Sequence, residues 1–143
     1  MNEWWAAREL SERLIPAALD GGPEDWLEGA RILASLDGHT WLALDQATRY
    51  RQRADHLGLP GTPSWPQVRL DEPTGFVAAM ASMHADGRRR ERATRVLAAN
   101  GSDAAGAALA VRLLDWVPQV RTQAWDAIQS LVSADRIEAT VTC

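Results

Sequence analysis

Apolar residues recur three and four positions apart along most of the chain, and no long segment alternates apolar and polar residues. That spacing is typical of amphipathic α-helices, because residues three and four apart lie on one face of a helix. The pattern therefore predicts an all-α protein. The predicted helices cover residues 2–20, 23–36, 41–57, 75–85, 87–100, 102–115 and 118–132.

The predicted helix ends rest on proline and on residues that cap helices. Pro16 is expected to kink or restart the first helix, because proline lacks an N–H and crowds the preceding turn. Pro23 suits the first position of the second helix, and Thr40 and Ser102 are candidate N-caps of later helices. A further short helix is predicted to start at Ser133.

The chain divides into three predicted regions. Residues 1–57 form N-terminal helices, residues 58–74 form a connecting loop rich in proline and glycine, and residues 75–143 form a repeat region. Loops as long as this one are often functional or mobile. Trp65 lies inside the loop, and we interpret it as pinning the loop to the helices, with a ligand contact as the alternative.

The repeat region contains two similar units with an offset of 31 residues. The motif Arg-x-x-Ala-x-x-x-Leu/Ile occurs twice, at Arg90, Ala93 and Leu97 and at Arg121, Ala124 and Ile128. The same offset aligns three residues of the preceding helices, Phe76, Met80 and Met83, with Ala107, Val111 and Leu114. Each unit is predicted to be a helix, a turn led by an aspartate, and a second helix. The turn aspartates are Asp86 and Asp115, which makes the two turns differ in length by about two residues.

The segment from Leu109 to Ile128 resembles a short HEAT-like repeat, a type that also occurs in relatives of phycobilisome lyases. The resemblance rests on an aspartate-containing turn followed by Val-Arg-x-x-Ala-x-x-x-Leu, here Val120 to Ile128. It covers residues 103–132 well and residues 75–100 in part, since Arg89 replaces the valine. It implies an α-solenoid, a right-handed stack of antiparallel helix pairs, in which the repeat arginine pairs with a turn aspartate. The repeat positions are Arg90, Ala93, Asp115, Arg121 and Ala124.

The last predicted repeat has no polar cap of the kind that usually ends a solenoid. The sequence stops where the next repeat of the pattern would begin. We therefore expect either that residues 1–143 are the N-terminal part of a longer repeat protein or that a partner covers the last face.

Composition excludes several classes of protein. An apolar share of 46% argues against disorder, and a single cysteine, Cys143, excludes a disulfide scaffold or a zinc site built from several cysteines. No apolar segment reaches the roughly 20 residues that a membrane span needs, so a cytoplasmic location is expected. The net charge is −4, which argues against a protein that binds nucleic acid with its whole surface.

Sequence motifs for catalysis and for cofactors are missing. The histidines are His39, His56 and His84, and none stands at a spacing used for metal ligands, so no metal and no cofactor is predicted. The glycines form no phosphate-binding loop, and we do not expect a catalytic thiol at Cys143, because chain ends are usually mobile. An enzyme is therefore the less favoured class.

Two features are candidates for binding. Five arginines stand close together against Asp86 and Glu91, at Arg88, Arg89, Arg90, Arg92 and Arg95. They form either a solvated helix face or a surface for phosphate or for an acidic partner. Trp125 lies on the flank of its helix beside Thr122 and Gln129, where it serves either as an interface anchor or as packing for a further repeat.

Three functions compete on this evidence. The favoured one is a protein-binding scaffold, with contact candidates at Arg88, Arg89, Arg92, Arg95, Trp125 and Gln129. The alternative is nucleic-acid binding, including a relationship to HEAT-like alkylpurine DNA glycosylases, for which only Trp125 and Asp126 are candidates. Bilin attachment, implied by the phycobilisome-lyase relatives, carries little weight because the repeat is far more widespread than that activity.

Overall fold

The computed structural model describes residues 2–56 and 70–141, and the side chains of residues 2–50 and 70–134. These residues form seven α-helices and no strand, so the predicted all-α class is confirmed for this part of the chain. The helices are α1 Glu3–Asp20, α2 Pro23–Ser35, α3 Gly38–His56, α4 Phe76–Ala81, α5 Gly87–Asn100, α6 Asp103–Arg112 and α7 Pro118–Val141.

Side chains outside the helices satisfy the first N–H groups of several helices, which have no partner inside the helix. Asn2 Oδ1 accepts a hydrogen bond from Trp4 N at 3.2 Å, and Ser102 Oγ accepts one from Ala105 N at 3.1 Å. Helix α2 begins at Pro23, as predicted. The predicted N-cap at Ser102 and the predicted helix start at Pro23 are therefore confirmed.

Two predictions about helix ends are wrong, and a third holds only as one of its alternatives. Helix α1 continues through Pro16, so the helix does not restart there, and the predicted kink stays a prediction. Thr40 does not cap α3, which begins at Gly38; Asp37 Oδ1 instead accepts from Thr40 N at 2.8 Å. No new helix starts at Ser133, since α7 contains neither glycine nor proline after its first residue and runs on to Val141.

Residues 57–69, which include Trp65 and most of the predicted loop 58–74, lie outside the described residues. After these residues, the buried carboxylate of Glu72 binds backbone N–H groups at the start of α4. Glu72 accepts hydrogen bonds from Thr74 N and from Val77 N, both at 2.9 Å. Gly75 follows with a φ of +72°, which brings the backbone against Ser102 and Asn100. Glycine is needed here because a side chain would collide with both residues.

The helices pack in three groups that share one core. Helices α4 and α5 and helices α6 and α7 form two helix–turn–helix units, and each unit contacts the other through both of its helices. The N-terminal helices α1 and α2 lie against α4, α2 also lies against α6, and α3 packs on α1 and α6. Gly29 of α2 allows this approach, because a Cβ there would lie 2.6 Å from Cζ of Phe76.

The 31-residue repeat holds in three dimensions without a gap. His84 N donates to Ala81 O at 3.1 Å, and Asp115 N donates to Arg112 O at 3.1 Å. The second helices begin at Gly87 and Pro118, again 31 residues apart (118 − 87). The prediction that the two turns differ by two residues is therefore wrong.

The counterpart of Asp115 is His84, and Asp86 does not fill this role. His84 Nδ1 accepts a hydrogen bond from the N–H two residues later at 2.9 Å, and Asp115 Oδ1 does the same at 2.9 Å. Asp86 is the N-cap of α5 and accepts from Arg88 N. An imidazole nitrogen and a carboxylate oxygen thus do the same work at equivalent turns.

Candidate functional site

The turn between α6 and α7 places the carboxylate of Asp115 inside the protein, where it receives Arg90 from the preceding unit. Arg90 is fully buried and donates from Nε to Asp115 Oδ2 at 2.9 Å and from Nη2 to Oδ1 at 3.1 Å. Its remaining Nη1 donates to the carbonyls of His84 and Ala85 at 3.0 and 2.9 Å. Arg90 therefore joins its own turn to the next one, and of the two candidate aspartates the partner is Asp115.

Two more arginines extend the ion pair toward the N-terminal helices. Arg112 Nη1 donates to Asp115 Oδ2 at 3.0 Å, and its Nη2 donates to Asp45 Oδ1. Arg49 Nη2 lies 3.1 Å from Asp45 Oδ2 and 3.5 Å from Asp115 Oδ2. We call these five residues, Arg49, Arg90, Arg112, Asp45 and Asp115, the charged cluster. It links α3, α5 and α6 with the α6–α7 turn.

Burial and partners shift the pKa values of two groups in the charged cluster. Burial raises the pKa of the Asp115 carboxyl, but hydrogen bonds from Arg90 and Val117 N and the charge of Arg112 outweigh it. The pKa of Asp115 therefore lies below its ordinary value. Burial also lowers the pKa of Arg49, and the like charges of Arg112 and Arg90 add to that effect against the opposing pull of Asp45 and Asp115.

Trp116 follows Asp115 and is 69% exposed, and its ring lies over the buried guanidinium of Arg90, 5.7 Å from ring centroid to Cζ. The other tryptophans of the described residues differ in burial. Trp26 and Trp41 belong to the core, whereas Trp4 is half-buried and packs edge-on against the exposed Trp5.

Trp125 is 54% exposed on α7 and lines a hollow of about 320 Å³ at the outer end of the second unit, with Leu113, Arg121 and Thr122. We call these four residues the end face. Arg121 Nη1 donates to Asp115 O at 2.9 Å, as Arg90 Nη1 donates to His84 O. The repeat counterpart of Trp125 is Thr94, which is completely buried. The end face is thus the open equivalent of a surface that is covered one repeat earlier.

None of the arginines of α5 lines the hollow at Trp125. Arg88 and Arg92 are exposed, Arg89 is half-buried with Nη1 3.4 Å from His84 Nε2, and Arg95 pairs with Glu91 of its own helix at 3.0 Å. Gln129 is exposed on α7. The repeat alanines, Ala93 and Ala124, are fully buried where helices meet.

Sequence reasoning missed Asp45, Arg49 and Arg112 as members of one site. Asp45 and Arg112 are 67 residues apart, so no local pattern connects them. The available signal was Arg112 itself, a single charged residue at the end of an alanine-rich helix and three residues before Asp115.

Among the described residues, no three His, Cys, Asp or Glu side chains come together in a way that could bind a metal ion. The helices in this part of the chain are also too short or too polar to span a membrane.

Comparisons with protein families, with curated proteins and with solved structures find no significant match to the chain.

Proposed function

We propose that the chain is a protein-binding module of HEAT-like repeats, a non-catalytic scaffold whose end face docks a helical segment of a partner protein. In this proposal α4–α5 and α6–α7 are successive repeats of an α-solenoid. The observation that carries it is a difference between two equivalent arginines. The guanidinium of Arg90 donates to a carboxylate of the next unit, whereas Arg121 is exposed and meets no carboxylate among the described residues.

The first unit supplies the template for docking. Its Arg90 holds its own turn with Nη1 and presents Nε and Nη2 to Asp115 in two parallel hydrogen bonds. A bidentate arginine–carboxylate pair is both strong and specific in orientation. Arg121 holds its own turn in the same way, but it is exposed and no carboxylate of the described residues meets its remaining donors. An acidic side chain at a turn or helix end of a partner would fit this guanidinium.

The apolar part of the end face favours a protein partner over a small polar ligand. Trp125 is exposed beside Leu113, and Val132 on the same helix is 46% exposed. Tryptophan and arginine are the residues that most often dominate protein interfaces when they lie centrally and lose water on binding. The end face combines both types within one hollow.

Nucleic-acid binding remains the competing function, and a different surface would carry it. Arg88 and Arg92 are exposed on α5 and are not among the residues that line the end face. Phosphate contacts would make such binding strongly dependent on salt. The two functions therefore predict different effects of mutation. Protein docking requires Arg121, whereas nucleic-acid binding requires Arg88 and Arg92.

The test is photocrosslinking from position 122, where a photoreactive residue replaces the exposed Thr122, in an extract of the native host. We expect crosslinks to a helical, acidic segment of a discrete protein, and we expect Arg121→Glu to abolish them. Arg31→Glu, an exposed charge reversal on α2, is the matched control and should leave them unchanged. Equal crosslinking by the Arg121→Glu variant would contradict the proposal. Binding of duplex DNA at low salt that is lost only in Arg88→Glu/Arg92→Glu would favour the competing function.

A further inference from the structure

We propose that the cleft between α3 and α6 binds a small monocarboxylate with an apolar tail, its carboxylate at Arg49 and Arg112 and its tail along Trp41, Leu42 and Ala110. This site is separate from the end face, and it would stand or fall independently of the proposed function.

The first support is the charge balance of the charged cluster. Three guanidinium groups, those of Arg49, Arg90 and Arg112, face two carboxylates, those of Asp45 and Asp115, which leaves a net charge of 3 − 2 = +1. Arg90 and Arg112 are almost completely buried, and the Arg49 side chain is only 18% exposed. A buried charge without a counterion is costly, so an additional anion would stabilise this arrangement.

The second support is a pair of unsatisfied donors. The Nε atoms of Arg49 and Arg112 are buried, and neither meets a hydrogen-bond acceptor among the described residues. Arg112 uses both of its Nη atoms to bind Asp45 and Asp115. Arg49 contacts the two carboxylates through Nη2 alone, so its Nη1 is a further donor without an acceptor among the described residues. A buried donor without an acceptor costs free energy, whereas a carboxylate offers two acceptor atoms.

The third support is access. Arg49 and Arg112 line an open hollow of about 250 Å³, together with Asp45 and Gln46. Gln46 is exposed at this hollow and adds an amide that can donate to an anion. The hollow is large enough for a carboxylate group and reaches solvent beside α3.

An apolar hollow adjoins the charged one and favours an anion that carries an apolar tail. It has a volume of about 450 Å³ and shares Leu42, Val111 and Leu114 with the charged hollow. Its remaining lining contains no Asp, Glu, Lys or Arg, and it consists of Leu36, Gly38, His39, Trp41, Ala107 and Ala110. Leu114 is 70% exposed at the boundary, although its repeat counterpart Met83 is fully buried. A ligand with an anionic head and an apolar tail would fill both hollows and cover Leu114.

Asp45 and Asp115 also line the charged hollow and would repel an anion if they were unpaired. Asp45 Oδ1 accepts from Arg112, and Asp45 Oδ2 lies 3.1 Å from Arg49 Nη2. The oxygens of Asp115 accept from Arg90 and Arg112, so all four carboxylate oxygens face cations. Water would satisfy the two Nε donors, but it would neutralise no charge and would leave the apolar hollow exposed. An inorganic anion would neutralise the charge but leave the same apolar surface in solvent.

The test is a titration of the protein with sodium octanoate, in which NMR follows the chemical shifts of the backbone amides. 1-Octanol and inorganic phosphate serve as comparison probes. Octanol has the tail without the charge, and phosphate has the charge without the tail. We expect saturable binding of octanoate with shifts centred on α3 and α6, and affinities at least about tenfold weaker for the other two probes. Absence of octanoate binding, or equal affinity for octanol or for phosphate, would overturn the proposal.

Two variants locate the binding. Arg49→Gln removes one cation and should weaken octanoate binding by about tenfold or more, while Arg31→Gln, at an exposed site on α2, should not. Ala110→Phe fills the apolar hollow from an exposed helix position, and Ala98→Phe places the same ring on the exposed side of α5. Because both alanines are exposed, these two variants should fold and keep the test decisive. Equal octanoate affinity in Ala110→Phe and Ala98→Phe would refute the placement of the tail.

Discussion

Arg90 and Asp115 lie 25 residues apart in sequence and meet in two parallel hydrogen bonds, with neither side chain exposed to solvent. The pair joins the turn of the second unit to α5 of the first. Asp115 also belongs to the charged cluster, so the contact between the two units and the α3–α6 cleft share one carboxylate.

Removing that carboxylate should be among the most damaging single changes in the chain. Asp115→Ala leaves Arg90 and Arg112 buried without their shared partner, and we expect a loss of about 3–5 kcal/mol in the free energy of unfolding. Urea denaturation followed by circular dichroism measures it. Arg95→Ala breaks an exposed pair with Glu91 and should cost at most about 1 kcal/mol. Similar losses in the two variants would show that the buried pair does not hold the units together.

The same carboxylate should give the protein a specific sensitivity to acid. Because the pKa of Asp115 is lowered on folding, its contribution to stability is fully present above the unfolded value near 3.8. That contribution is lost as the pH falls through the lower folded value. We expect stability to decline below about pH 4 less steeply in Asp115→Asn than in the original protein.

Asp37 must be controlled for in this measurement, because hydrogen bonds from Thr40 also lower the pKa of Asp37. Asp37→Asn therefore serves as a second variant, since Asp37 is on the surface and outside the charged cluster. Unfolding free energies at pH 7 and at several values between pH 3 and pH 5 give the comparison. An unchanged acid slope in Asp115→Asn would contradict the argument.

Two glycines with the same backbone conformation allow the cost of backbone strain to be separated from the cost of a steric collision. Gly75 and Gly101 both have a φ of +72°. An added Cβ at Gly101 meets nothing within 4 Å, whereas at Gly75 it would lie 2.8 Å from Asn100 Oδ1 and closer still to Ser102 Oγ. Gly101→Ala should therefore cost only the backbone term of about 1–2 kcal/mol.

Gly75→Ala should cost more than Gly101→Ala, because the collision adds to the same backbone strain. Thermal unfolding of both variants, measured side by side, tests the difference. Equal midpoints would mean that the segment around Gly75 relaxes freely and does not fix the start of α4.

The sequence predicts the helices well because their signals are local. Pro23 and Ser102 mark helix starts by chemistry that acts within one turn of the chain. The equivalence of His84 and Asp115 was hidden, since two different residue types accept the same backbone hydrogen bond. Pattern analysis aligned the aspartates and so inserted a difference in turn length that does not exist.

The charged cluster was hidden for a different reason. Arginine in a run of charges usually stays in solvent, yet Arg90 is fully buried while Arg88 and Arg92 remain exposed. What separates them is the position of each on α5 relative to a partner 25 residues away. The link from Arg112 to Asp45 spans 67 residues, and only the packing of α3 on α6 creates it.

The last prediction concerns Trp125, whose position distinguishes docking from folding. Its counterpart in the first unit is Thr94, so Trp125→Thr gives the second unit the residue that the first unit buries at the same place. Because Trp125 is 54% exposed, we expect this variant to lose no more than about 1 kcal/mol of stability. Leu97→Ala, at a fully buried position of α5, should lose about 2–5 kcal/mol and shows the scale of a core change. If the end face docks a partner, Trp125→Thr should also reduce crosslinking from position 122 while the protein stays folded. A loss of stability comparable to that of Leu97→Ala would instead assign Trp125 to the core of the second unit, and its exposure would no longer support a docking surface.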